Sequence, residues 1–276
     1  MQSGAGIKEW KVRQEKSRNW ASKNAGSMVG TILALGGLCL LAASIAAAAS
    51  DKKDDKAPAA QMVDSGSFGV FMNGRRVATE TFSIHQNSGD SSVTSEFKTE
   101  TGVDKAVQTS EWQMTGNGEL RKYEWKEVSP GQSQAVVLPN QDFLIERFRN
   151  GPQDKEQEQP FMLPASSSFL DDYFFVQREV LAWKFLASSC KQEKGELRCP
   201  LKQHVQFGAL NPHARSSMSV GVEFAGREKV TIRGVEHELN RLNLKSDSID
   251  WALWLDDQFK MQRILISGEN TEVVRD

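Results

Sequence analysis

The chain is short of the residues that carry most protein chemistry. It has three cysteines and four histidines in 276 residues. Cys39, Cys190 and Cys199 contain no C-x₂₋₄-C pair, which excludes a thiolate zinc site. His237-Glu238 opens like a zincin helix, but Arg241 stands where the second histidine belongs. His204 and His213 have no cysteine or carboxylate at ligand spacing, and His85 precedes a turn. No metal and no cofactor is expected.

Basic charge is also scarce where it would matter. The whole chain has 34 basic and 36 acidic residues, and the first 50 hold 6 and 2 of them. The remaining 28 against 34 give the rest of the chain a net charge of −6. An acidic domain without a basic stripe argues against nucleic acid and against anionic membrane surfaces.

Catalytic signatures are missing too. Gly131-Gln-Ser133-Gln-Ala135 lacks the strand-to-helix setting of a nucleophile elbow. No dinucleotide-binding helix follows Gly116-Asn-Gly118, so that triplet reads as a turn. Asp171-Asp172 suits a first helical turn and Asp256-Asp257 a hairpin turn. Each pair has a structural reading that needs no catalysis.

What is present begins at the N-terminus. Lys8, Lys11, Arg13, Lys16, Arg18 and Lys23 precede an uncharged run from Ala25 to Ser50 that ends in Ala46-Ala47-Ala48-Ala49. A basic lead, an apolar middle and a small-residue exit make a secretory signal over 1–49. The rival reading is a retained membrane anchor with the basic lead inside, since about 20 apolar residues span a bilayer. Gly30, Gly36, Gly37 and eight alanines dilute the run, and Ala47-x-Ala49 suits a signal peptidase. The protein is expected to be periplasmic or extracellular, with membrane contact only through a retained N-terminal segment. Export also suits a Cys190–Cys199 bridge, because a lone cysteine pair in an oxidising compartment usually joins.

Residues 50–66 are charged and aperiodic and read as a disordered linker. Residues 67–276 are long enough for one β-rich domain. Asn73-Gly74 between Phe68–Met72 and Arg75–Ile84 predicts a type I′ hairpin. Strands are expected over 91–101, 105–114, 119–128, 134–138 and 142–148, and then a polar loop over 150–160. Ser168-Phe-Leu-Asp171 has the spacing of an N-cap, and Phe169, Tyr173, Val176, Val180 and Trp183 follow at helical intervals. A helical insertion is expected at about 168–188, whole or broken near Gln177. Alternation returns in Met218–Phe224, Val235–Leu244, Ile249–Leu255, Phe259–Ile266 and Thr271–Arg275. Short connections make this a curved antiparallel meander or partial β-barrel, with the helix packed on or across it.

Gly69-Val-Phe-Met-Asn-Gly-Arg-Arg-Val-Ala-Thr-Glu80 resembles the opening hairpin of exported bacterial domains of unknown function. Trp251-Ala-Leu-Trp-Leu-Asp-Asp-Gln-Phe-Lys-Met-Gln-Arg-Ile264 and Val273–Asp276 resemble their closing strands. Those domains are incomplete β-barrels, similar in outline to periplasmic lipoprotein carriers. The resemblance implies a carrier-like cavity and supplies no catalytic residue.

In the Ile249–Leu255 strand, Trp251 and Trp254 point to opposite faces, so the sheet has two cores or one core and a binding concavity. The expectation is a non-enzymatic envelope domain that binds an apolar or amphipathic ligand, a lipid or a lipidated partner. Trp183, Tyr173, Phe174, Trp251 and Trp254 are the candidate ligand-binding residues. The alternatives are an envelope scaffold that binds another protein by edge-strand pairing, and a hydrolase with a dispersed site.

Protein recovered from the extracytoplasmic fraction is expected to begin at or near Ser50 on N-terminal sequencing. Recovery only as a full-length membrane-bound chain would support the anchor instead.

Overall fold

The computed structural model describes residues 60–100, 105–193, 196–201, 203–247 and 250–276. The signal or anchor segment and Cys39 lie outside the described residues. Eight strands come first: β1 (Gln61–Met72), β2 (Arg75–Gln86), β3 (Asp90–Thr99), β4 (Val107–Thr115), β5 (Leu120–Ser129), β6 (Gln134–Asn140), β7 (Phe143–Arg149) and β8 (Gln157–Phe161). A short β9 (Ser168–Phe169) and a helix, α1 (Val176–Ser189), follow. A small hairpin, β10 (Lys191–Glu193) and β11 (Glu196–Arg198), leads into the last strands. These are β12 (His204–Asn211), β13 (Ser216–Ile232), β14 (Val235–Lys245), β15 (Asp250–Leu255), β16 (Met261–Ile266) and β17 (Thr271–Arg275).

Fifteen of these strands form one open, curved sheet in the order β8-β7-β6-β5-β4-β3-β2-β1-β17-β16-β15-β14-β13-β12-β9. It is two antiparallel meanders joined where the first strand meets the last. β1 pairs with β17 from Phe68↔Arg275 to Met72↔Thr271. The sheet is not closed into a barrel. Its β8 edge is tied to the turn after β12 by Gln159 Nε2, which donates to the Arg215 carbonyl at 3.3 Å.

Local sequence explains most elements. Asn73 and Gly74 adopt φ of 51° and 74°, the pair of positive values a type I′ turn requires. Arg233-Gly234 repeats the geometry at 51° and 81°. Asp256 Oδ1 accepts the N–H groups of Gln258 and Lys260 at 2.8 and 3.0 Å, so this aspartate stabilises its own turn. Cys190 and Cys199 form a disulfide across the β10–β11 hairpin, with Cα atoms 4.2 Å apart.

Three expectations need correction. β1 begins at Gln61, inside the segment read as linker, because it pairs with a long β2 from Gln61↔Gln86 onward. Asp64 then anchors it through Arg275 at 2.7 Å and Lys260 at 3.0 Å. The expected loop at 150–160 contains β8, an edge strand that tolerates Pro160 and polar residues because it pairs only with β7. The helix starts at Val176, not near 168. Ser168 and Phe169 pair in parallel with Ala209 and Leu210 instead, and the Asp171 side chain accepts from Tyr173 N at 3.0 Å in an irregular segment.

The helix is more deeply placed than a lid. Nine of its fourteen residues are buried, including the unbroken run Val176–Ala182. The main core is its contact with the inner sheet face, where Phe68, Phe82, Ile84, Val93, Phe97, Trp112, Leu242, Leu253 and Ile264 gather.

The outer face has its own smaller core. β13 and β14 extend past β15, which pairs with β14 only over Asn240–Lys245. A bulge at Gly226, with φ of 112°, marks where the arm begins. Ile232 and Leu239 on the arm then pack with Trp254, Ala252 and Val274, beside Phe71 and Val230. Trp254 Nε1 donates to Glu228 Oε1 at 2.7 Å, and Arg241 and Arg263 lie 5.6 and 5.1 Å from its ring. Of the two choices the sequence left open, two cores is the one the fold adopts.

Trp254→Ala should therefore cost ~3–5 kcal/mol in chemical unfolding, as large aromatic truncations do. A loss below about 1 kcal/mol would mean that the arm does not need this ring.

Candidate functional site

A polar band crosses the interior where α1 starts, an unusual place for so many ionisable groups. The inward phase of β2 is Ala78, Glu80, Phe82 and Ile84, all buried. The Glu80 side chain is thus forced into the core by strand alternation. It accepts the N–H of Phe175 at 2.7 Å and that of Val176 at 3.3 Å, and Ser95 Oγ donates to it at 2.6 Å. Phe175 occupies the N-cap position without a side-chain cap of its own. A carboxylate 95 residues away supplies the cap and faces the positive end of the helix dipole. Burial pushes the Glu80 carboxyl up to about 7, against the pull of Ser95, the two N–H groups and Arg178.

Two further attachments hold the helix. Glu179 Oε2 accepts Met261 N at 3.2 Å and lies 3.6 Å from Arg275. Burial, with the hydrogen bond that protonated Glu179 donates to Asp64 and the Asp64 charge, pushes Glu179 up to about 9. Burial would raise Asp64 as well, but its bonds to Glu179, Arg275 and Lys260 hold it below its ordinary value. The pair therefore shares one proton. Near the helix end, Lys184 Nζ donates to the carbonyls of Ser166 and Ser167 at 3.2 and 3.3 Å.

The third group surrounds Asp171, which is fully buried. Tyr123 OH donates to it at 3.0 Å, and His213 Nδ1 faces it at 2.6 Å. The His213 ring stacks on Trp125 with centroids 3.7 Å apart. Its Nε2 faces Gln108 Oε1 at 2.6 Å. Both ring nitrogens therefore have partners inside the core. Among the described residues no serine, threonine or cysteine hydrogen-bonds to His213. Nearby, Glu146 is fully buried on β7, and neither carboxylate oxygen has a hydrogen-bond partner among the described residues. Burial raises it well above the usual carboxylate range, with Arg215 opposing.

The ligand residues expected from sequence are partly brought together. Phe174 is buried, and its carbonyl accepts Arg178 Nη1 at 2.8 Å. The Arg178 guanidinium lies 4.5 Å from the Trp251 ring. Burial lowers Arg178 to about 10, so it stays charged at neutral pH. Tyr173 meets Phe97 edge-on at 5.4 Å. Trp183 is half-buried farther along α1 and donates Nε1 to the Phe259 carbonyl at 2.7 Å. Trp254 is in the outer core, away from this group.

Sequence reading missed Glu80, Glu146, Gln108 and His213 as members of one band. Their signal was a polar residue in the apolar phase of a strand, as in Ala78-x-Glu80-x-Phe82 and Leu144-x-Glu146-x-Phe148. His204 opens β12 and His213 follows its end, and at ~3.3 Å per residue the strand runs roughly 23 Å between them. They cannot share a metal. Among the described residues no group of three or more His, Cys, Asp or Glu is arranged to hold one. Also among them, no helix is long and apolar enough to cross a membrane.

Comparison with known protein families, with curated proteins and with solved structures finds no match.

The buried carboxyls set a direction for pH dependence. Folded Glu80 holds more protons than unfolded Glu80 between its ordinary 4.5 and about 7, and Glu179 does so up to about 9. Their stabilisation is complete below that window and is lost as pH rises through it. Urea unfolding should show stability falling from about pH 5.5 to about pH 8.5. Glu80→Gln should flatten that fall by up to about 3 kcal/mol. An unchanged slope in the variant, or stability rising over the range, would contradict the assignment.

Proposed function

We propose that this chain is a non-enzymatic extracytoplasmic β-domain that takes an amphipathic ligand of the lipid class into the concavity now filled by α1. The observation that carries the reading is the mixed character of the helix. A helix that is hydrophobic all round belongs in a protein's interior. α1 instead buries Gln177, Arg178 and Glu179 in succession beside Val180 and Leu181. Such groups are costly to desolvate, and their bonds fix one docked geometry more than they add stability. The helix is a plug with polar fasteners, and a plug can be replaced.

The magnitudes allow it. Val176, Val180, Leu181, Phe185 and Leu186 are the buried apolar side chains of α1 other than Ala182. At ~1.5–3 kcal/mol each they contribute roughly 8–15 kcal/mol. An acyl chain of about 14 methylenes at ~0.8 kcal/mol each supplies about 11. One chain therefore offsets the loss of the helix contacts, and two exceed it.

The alternatives have less support. An edge-pairing scaffold needs an open edge. On β8, Pro160 has no N–H to offer an added strand, and Glu158 pairs with Arg147. Hydrolysis through His213 would need a nucleophile beside it, and among the described residues no serine, threonine or cysteine hydrogen-bonds to that ring.

The test is titration with N-phenyl-1-naphthylamine of the wild type and of Trp183→Phe, which keeps the packing and removes the bond to Phe259. One neutral hydrogen bond is worth about 1 kcal/mol, so the undocked population should rise roughly fivefold. The wild type should bind saturably, and the variant should bind roughly fivefold more tightly. No saturable uptake by either protein would overturn the reading and leave the scaffold as the better account.

A further inference from the structure

On the outer face, away from α1, we propose that a trough across β2, β3, β4 and β5 binds a linear, uncharged, β-1,4-linked polysaccharide. Phe82, Ser95, Ser110 and Trp125 are buried, so the residues on either side of each point outward. Pairing sets those outward residues in straight cross-strand rows, of which Thr81, Glu96, Thr109 and Lys126 are one. Ser83, Thr94, Glu111 and Glu124 are the next row. Together they line a cavity of about 480 Å³, within the usual size of a small-ligand site. Side-chain length makes the hollow. The short threonines and the serine form its floor, and the longer glutamates and the lysine stand above it. The apolar outer core around Trp254 and Val274 does not include these residues.

The chemistry of the trough selects its occupant. None of its outward side chains is a hydrocarbon or an aromatic ring, so an acyl chain would gain little there. Its charges are already matched. Glu96 meets Lys98 at 2.5 Å, and Glu124, only 16% exposed, is bracketed by Lys122 and Lys126. Glu111 accepts Gln113 Nε2 at 2.6 Å. An ion or a polyelectrolyte therefore finds no uncompensated charge to bind. A peptide cannot add by main-chain pairing, because β2, β3, β4 and β5 each have a strand on both sides. What the trough offers is dense, neutral hydrogen bonding. Each hydroxyl both donates and accepts, and each carboxylate keeps lone pairs for further donors. The hydroxyls of a sugar ring use both. Neighbouring strands are ~4.8 Å apart, close to the length of one pyranose ring, so a row across four strands runs roughly 14 Å and holds about three rings. A β-1,4 linkage keeps successive rings in line, as the row is.

The experiment is isothermal titration calorimetry of the whole protein with cellohexaose and with chitohexaose. At least one should bind saturably, with an affinity that does not change between low and high salt. Thr81→Val combined with Thr109→Val removes two neutral hydrogen bonds from one row, and valine suits a strand, so binding should weaken about 25-fold. Glu111→Ala changes an exposed position and should weaken it at least about tenfold, which keeps the site under test should the double variant fail to fold. Carboxymethylcellulose, the same backbone with negative charge, should bind no more tightly than cellohexaose. No binding of either hexasaccharide, an affinity that collapses with salt, or full affinity in both variants would overturn the proposal. None of these outcomes bears on dye uptake by the inner concavity, which is a separate site on the opposite face.

Discussion

The Glu80 carboxylate is the contact on which the arrangement depends. A helix beginning inside a protein has N–H groups that water cannot reach, and each left unpaired would cost free energy. Phe175 and Val176 give theirs to Glu80, on a strand far away in sequence. Without that carboxylate α1 would need another cap. With it, the helix start is fixed against β2 and β3, because Ser95 on β3 bonds the same group. The cost is a desolvated acid, which is why its proton affinity rises to about 7. A contact of this kind specifies a position more than it adds stability.

The topology puts the other fasteners close to the same line. β1 and β17 join the two meanders at the middle of the sheet. Asp64 is on β1, Arg275 on β17 and Met261 on β16, and all three converge on Glu179 of the helix. The join of the sheet and the docking of the helix are therefore one problem solved by one set of charges. On the opposite face, the β13–β14 arm covers Trp254 with an apolar layer of its own. The sheet is two-sided because each face has its own cover. Only the inner cover is fastened by buried acids and a buried arginine, and the proposed undocking of the helix rests on that asymmetry.

Much of the fold was legible in the sequence, for a local reason. Strand alternation and the Asn73-Gly74 turn act over a few residues and predict the same hairpin that forms. The helix start was misread because Ser168 and Asp171 form a plausible local cap. Long-range pairing to Ala209 and Leu210 claimed Ser168 and Phe169 for the sheet instead. β8 was hidden because edge strands need no apolar alternation. Of the candidate site, the aromatics Tyr173, Phe174 and Trp251 were visible from spacing. The carboxyls were visible only as misplaced polar residues, since what gives Glu80 its role is a partner 95 positions away.

The central claim is that α1 opens as a unit separate from the sheet. Native-state hydrogen exchange tests it most directly, because it resolves sub-global openings from global unfolding. The account predicts that amides of 176–189 exchange through an opening of lower free energy than those of β2, β3, β14 and β15. It also predicts that this opening becomes easier as pH rises through about 7, where Glu80 loses its proton. Exchange of the helix only together with the central strands, at the same free energy and with no added pH dependence, would show that α1 is ordinary core and would contradict the account.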